Sequence, residues 1–133
     1  MSQVKILVID DDKGMTDMLT MLLASASPEI IIANSGKSGI DLARKHSPDI
    51  ILLDLMMPEM NGWMVCKSVR EFSDAPILIL TSIDTSGVIA QAFDAGADDY
   101  LIKPVSGGTL IAHINNLLRR SKITLQSSWV EGN

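Results

Sequence analysis

The chain has 133 residues, 47% of them apolar and 20% charged, with a net charge of −5 at pH 7. That length fits one domain with a substantial core, the apolar share excludes a disordered chain, and the acidic balance argues against direct nucleic-acid binding. No uninterrupted apolar run reaches membrane-spanning length, and the single cysteine, Cys66, cannot form an internal disulfide, which points to a reducing cytoplasm.

Strand and helix patterns alternate along the whole chain. Residues 4–9 (VKILVI) read as a strand that runs into Asp10, Asp11 and Asp12, with no signal peptide expected ahead of it. Met15, Met18, Leu19, Leu22 and Leu23 then share one helical face. Residues 28–33 (PEIIIA) form a second strand, and Ser35-Gly36 opens a helix carrying Ile40, Leu42 and Ala43. After the Ser47-Pro48 break, residues 49–53 make a third strand ending at Asp54. Asn61 caps a helix with Val65, Cys66, Val69 and Phe72 inward. Residues 76–80 lead into Thr81 and Ser82, followed by a helix over about 84–94 that Gly96 stops. Tyr100, Leu101 and Ile102 form the fifth strand, ending at Lys103-Pro104, and the last helix carries Leu110, Ile111, Ile114, Leu117 and Leu118. Residues 1–121 make one domain, and residues 122–133 read as a tail or linker stump.

Strands that are apolar at nearly every position belong to a parallel sheet covered on both faces. Repeated strand–helix units with right-handed crossovers give an α/β fold, a five-stranded doubly wound sheet with helices on both faces. In such sheets ligands bind in the crevice beyond the carboxyl ends of the strands. There the pattern gathers three carboxylates, a hydroxyl and an ammonium. Two unit charges about 4 Å apart repel by roughly 4 kcal/mol at an effective dielectric of 20, and an all-oxygen carboxylate set suits Mg²⁺. Lys103 suits a phosphoryl oxygen as a point charge, the Thr81 hydroxyl donates a hydrogen bond, and a carboxylate can attack phosphorus.

The motifs Asp10-Asp11, Leu53-Asp54-Leu55-Met56-Met57-Pro58-Glu59-Met60-Asn61-Gly62, Thr81-Ser82 and Ala95-Gly96-Ala97-Asp98-Asp99-Tyr100-Leu101-Ile102-Lys103-Pro104 occur in this order, each at a strand end. Over about residues 4–120 the chain thereby resembles the receiver domain of two-component response regulators. The resemblance implies the flavodoxin-like strand order 2-1-3-4-5. It implies Asp54 as phosphoacceptor for a sensor histidine kinase or histidine phosphotransfer protein, and Mg²⁺ held by Asp11, Asp54 and the Met56 carbonyl, with Asp10 acting through a metal-bound water. Thr81 and Lys103 would contact the phosphoryl group, and Lys103-Pro104 would be cis. Movement of Thr81 would let Tyr100 turn inward and reshape the face of the fourth helix, fifth strand and fifth helix, which an effector, an output domain or a second copy of the chain would read. Such a domain signals and catalyses only its own phosphoryl transfer and dephosphorylation.

Departures from the family pattern are few. Asn61 replaces the common Asp, Ser82 the common Ala, and Ile89 and Gln91 stand where the winged-helix branch carries basic residues. Met56 and Ile83 are apolar and cannot position an attacking water, so a long-lived phosphoryl group is expected. Several residues have plainer readings. Asp12 serves as a helix N-terminal charge, Asp98 and Asp99 serve a turn and strand start, and Cys66 is a small core residue. Met15, Met18 and Met21 pack in the core, and Trp63 and Met64 are packing residues or a patch for a partner. His46 and His113 are surface or interface residues, and Arg119-Arg120-Ser121-Lys122 closes the last helix. Two other functions compete. Ile9-Asp10-Asp11-Asp12 also resembles the nucleophile motif of haloacid-dehalogenase-like phosphatases, although there the acidic pair follows the lysine and here Asp98-Asp99 precede Lys103. A pseudo-receiver without phosphoacceptor activity is the other, but it would be expected to lack an acidic or lysine residue that this chain retains.

Overall fold

A computed structural model describes residues 3–121 and Leu125. Its elements are β1 Lys5–Ile9, α1 Lys13–Leu23, β2 Glu29–Ala33, α2 Gly36–His46, β3 Ile50–Leu53, α3 Gly62–Arg70, β4 Ile77–Thr81, α4 Ser86–Asp94, β5 Asp99–Ile102 and α5 Gly107–Leu118. All strand pairs are parallel, in the order β2-β1-β3-β4-β5. Every strand and helix read from the sequence is present, with ends that differ by a residue or two. The largest shift is at α4, which starts at Ser86 because Thr85 is extended and serves as its N-cap. Of the tail over 122–133, only Leu125 lies within the described residues.

Strand alternation divides the core in two. Leu7, Ile9, Ile51, Leu53, Ile77 and Ile79 face Ala43, Val65, Cys66, Val69 and Ala92 of α2, α3 and α4. Ile6, Val8, Ile50, Leu52, Leu78 and Leu80 face Leu19, Leu23, Leu110, Ile114, Leu117 and Leu118 of α1 and α5. The central strands β1, β3 and β4 are therefore dry on both sides, as their unbroken apolar runs require. Leu125 joins the second layer, and its backbone N–H donates to Asn115 Oδ1 at 2.6 Å. Met21 departs from the expected packing. It lies 77% exposed on the outer side of α1, because Leu19, Leu22 and Leu23 already fill the stripe that meets the sheet.

At the amino ends of the strands, one guanidinium ties four segments together. Arg70 at the end of α3 donates to the carbonyls of Gly96 (3.1 Å), Ser73 (3.1 Å) and Ala75 (2.8 Å), and to Asp98 Oδ2 at 2.8 Å. The same Asp98 oxygen accepts the Ile77 N–H that opens β4, and Oδ1 accepts from Arg120. Asp98 thus serves the turn before β5, as its position suggests, and is also an ion-pair hub. Gly96 has φ +120°, and a Cβ there would stand 2.7 Å from Arg70 Cγ, so glycine is required on both counts.

Replacing Arg70 with alanine strands several acceptors and the Asp98 charge. Urea denaturation of Arg70→Ala is expected to show a loss of roughly 2–3 kcal/mol. Arg70→Lys is expected to recover only part of it, since an ammonium cannot reproduce the forked contacts.

Candidate functional site

The candidate residues are placed by the sheet ladder itself. The Asp10 N–H donates to the Ala33 carbonyl at 3.0 Å, so the first residue past β1 is still held by the last carbonyl of β2. In the same way the Asp54 N–H donates to the Ile9 carbonyl (3.0 Å) and the Lys103 N–H to the Thr81 carbonyl (2.8 Å). Thr81 is the last residue of β4 and pairs with Ile102. Each side chain therefore leaves a fixed backbone at the carboxyl edge of the sheet. Asn34, which the sequence reading did not single out, adds a bond from its Nδ2 to the Asp10 carbonyl at 3.0 Å.

The loop after Asp54 is equally constrained. Gly62 opens α3 with its N–H on the Leu55 carbonyl at 2.9 Å, and a Cβ there would lie 2.6 Å from the Asp54 carbonyl oxygen. Asn61 caps the helix by accepting from the Met64 N–H at 3.1 Å, the role expected of it. Asp12 caps α1 likewise, accepting from the Met15 N–H, and its Oδ atoms do not enter the carboxylate cluster.

Oxygens of Asp10, Asp11 and Asp54 lie within 4.8 Å of one another. Asp10 is buried and has both oxygens engaged: Oδ1 accepts from the Asp12 N–H at 2.9 Å, and Oδ2 meets Lys103 Nζ at 2.9 Å. Asp54 is less committed. Its Oδ2 stands 3.7 Å from Lys103 Nζ and its Oδ1 3.5 Å from the Met56 N–H. Asp11 is exposed and opens the cluster to solvent. Burial pushes the Asp54 carboxyl above its ordinary value, and the Asp10 charge pushes the same way. Lys103, the Thr81 hydroxyl and the Met56 N–H act against that rise without cancelling it. The oxygen-only donor set, its spacing and this uncompensated charge all fit a small hard divalent cation.

Tyr100 lies apart from the carboxylates. Its hydroxyl donates to the Ile83 carbonyl, two residues past Thr81, and its ring packs half-buried against the α2–α4 side of the core. Burial raises its phenol above the ordinary value, and the charges of Asp84 and Asp54 add to the rise. Lys103-Pro104 is cis. His113 is paired, its Nδ1 lying 2.7 Å from Asp99 Oδ2, and residues 14 apart carry no spacing signal that could have shown it. Among the described residues, His113 and Asp99 belong to no group of three or more side chains spaced to hold a metal ion. Cys66 is wholly buried, as read, and its thiol is pushed up to about 11 by burial.

A carboxyl with a raised value in the fold takes up protons that the unfolded chain does not. Its destabilising effect is thus full above the folded value and fades as pH falls through it. Without metal, Asp54→Asn is expected to melt roughly 2–5 °C above the parent at neutral pH, and calorimetry is expected to show this advantage shrinking as pH falls towards 4.

The comparisons with known proteins bear on the family and the fold. Residues 6–115 match the family described as response regulator receiver domain. A probable transcriptional regulator, ycf27, of Porphyridium aerugineum is 37% identical over 120 residues, covering 90% of this chain and 50% of that protein. The DNA-binding response regulator MtrA of Mycolicibacterium smegmatis is 36% identical over 118 residues, covering 89% of this chain and 52% of that protein. The chain thus spans about half the length of the curated relatives it matches. A two-component response regulator from Clostridium difficile superposes with a TM-score of 0.86 at 33% identity, covering 91% of this chain and all (100%) of that one. A ladder-anchored carboxylate cluster on a 2-1-3-4-5 sheet, matched over 6–115, shows that the chain belongs to the receiver domain family of two-component response regulators.

Proposed function

We propose that this receiver takes a phosphoryl group on Asp54 from a sensor histidine kinase or a histidine phosphotransfer protein, with Mg²⁺ held by Asp11, Asp54 and the Met56 carbonyl and by Asp10 through water. The observation that carries the choice of nucleophile is the unequal engagement of the two buried aspartates. Asp10 has both oxygens bonded at 2.9 Å, whereas the contacts to Asp54 are 3.5 and 3.7 Å. The less tightly engaged carboxylate is the one that can attack phosphorus, which also disfavours Asp10 as a phosphatase nucleophile.

In the transfer an Asp54 oxygen bonds to phosphorus as the bond to the donor imidazole nitrogen breaks. Lys103, held by Asp10 within reach of Asp54, receives a phosphoryl oxygen as a point charge, and the Thr81 hydroxyl donates to another. Bound Mg²⁺ offsets charge on the phosphoryl oxygens and on the crowded carboxylates. Because the Tyr100 hydroxyl is tied to the loop just past Thr81, movement of Thr81 acts on Tyr100 and on the α4-β5-α5 face. Weak anchoring of α4 favours this face as the element that moves, since only Ala92 of it is buried and its N-cap Thr85 makes no side-chain bond. An effector, an output domain or a second copy of the chain would read that face, with no direct nucleic-acid contact by this domain. No helix among the described residues is long and apolar enough to cross a membrane. The lone buried cysteine accords with a reducing cytoplasm, and the receiver spans about residues 1–121 with Leu125 also packed against its core.

Intact mass spectrometry after incubation with acetyl phosphate is expected to show one phosphoryl group that requires both Mg²⁺ and Asp54. An adduct that survives Asp54→Asn would instead make Asp10 the acceptor, and no adduct on either protein would mark a pseudo-receiver. Met56 and Ile83 offer no group to orient water, so the adduct should persist. A Met56→Asn/Ile83→Glu variant is expected to lose it about tenfold faster, read as phosphate release over time. Slower or equal release from that variant would contradict the assignment of these two positions.

A further inference from the structure

We propose that Met56 is an oxidation site through which a peroxide shortens the lifetime of the phosphoryl group on Asp54. The inference rests on the phosphoacceptor reading above and adds a modification and a regulatory input to it. Met56 lies two residues past Asp54, its backbone N–H is 3.5 Å from Asp54 Oδ1, and its side chain is 59% exposed. Met57, the next residue, is only 8% exposed, and Met60 is half-buried against the core. Among the methionines around Asp54, Met56 is therefore the sulfur a solution oxidant reaches most easily.

Met21 and Met64 are also exposed, at 77% and 48%, but Met21 lies on the outer side of α1 and Met64 in the first turn of α3. Oxidation there changes no group next to the acceptor. At Met56 it converts an apolar thioether into a polar sulfoxide. The sulfur lone pair attacks one peroxide oxygen, the O–O bond breaks, sulfur is oxidised by two electrons and the peroxide is reduced to water. The new S=O oxygen is a strong acceptor where the unmodified Met56 side chain offers only a weakly accepting thioether. It can hold a water by one of its protons beside the phosphoryl group. That water attacks phosphorus, the bond from phosphorus to the Asp54 oxygen breaks and leaves the carboxylate, and both of the water's protons leave with inorganic phosphate.

The test uses the full chain carrying Met21→Leu and Met64→Leu, which leaves Met56 the most exposed methionine among the described residues. Half of the protein is treated with hydrogen peroxide, quenched, and mapped by peptide mass spectrometry for one added oxygen at Met56. Both halves are then phosphorylated with acetyl phosphate and Mg²⁺, desalted, and followed by intact mass. The oxidised form is expected to lose its phosphoryl group roughly three- to tenfold faster, the effect of one added hydrogen bond to the attacking water. Methionine sulfoxide reductase should restore the slow rate, and untreated Met56→Gln should reproduce the fast one. Equal or slower loss after oxidation at Met56 would overturn the proposal, as would acceleration that persists in Met56→Leu or a Met56 that peroxide leaves unmodified. If untreated protein takes up no phosphoryl group at all, the phosphoacceptor reading fails first and this inference falls with it.

Discussion

The structure depends on one constraint: backbone ladders that continue one residue past the strands fix like charges side by side. Asp10 and Asp54 are tied through their own N–H groups to the last carbonyls of β2 and β1. They cannot move apart without breaking sheet bonds in the driest part of the molecule. Repulsion between them is met by one ammonium, Lys103, whose backbone is tied to Thr81 in the same manner. One positive charge stands against three carboxylates, and burial, with the Asp10 charge adding to it, holds the Asp54 carboxyl above its ordinary value despite Lys103. A site in this condition fits a small divalent cation and accords with the phosphoacceptor role proposed for Asp54.

The two ends of the sheet treat charge in opposite ways. At the amino ends, Arg70 and Arg120 meet Asp98, and three further Arg70 protons go to carbonyls, so the ion pairs are closely satisfied and serve to lock α3, β4 and the turn before β5. At the carboxyl ends satisfaction is withheld, and the neighbouring helix α4 is held by little buried surface. Rigidity at one end and incomplete compensation at the other fit the proposal that a local charge change moves α4 and the Tyr100 contact while the core stays in place.

Much of this was legible in the sequence because the signals were local. Apolar runs over 6–9, 50–53 and 76–80 suit strands covered on both faces, and the residues that follow them form the candidate site. Caps at Asp12, Ser35 and Asn61 announced themselves by residue type. What stayed hidden depended on distance along the chain. Arg70 meets Asp98 across 28 positions and His113 meets Asp99 across 14, with no periodicity to suggest either. Met21 was misplaced in the core because helical spacing alone does not say where an apolar stripe ends. The unequal engagement of Asp10 and Asp54 is likewise a matter of ångströms that no motif carries.

The most direct test of the central claim is thermal melting with and without millimolar Mg²⁺, comparing the parent chain with Asp54→Asn. A cation bound to the folded state alone raises stability in proportion to RT ln(1 + [Mg²⁺]/Kd). If charge crowding at the strand ends governs this site, Mg²⁺ raises the Tm of the parent and leaves that of Asp54→Asn nearly unchanged. A parent that ignores Mg²⁺, or a variant that responds equally, would contradict it.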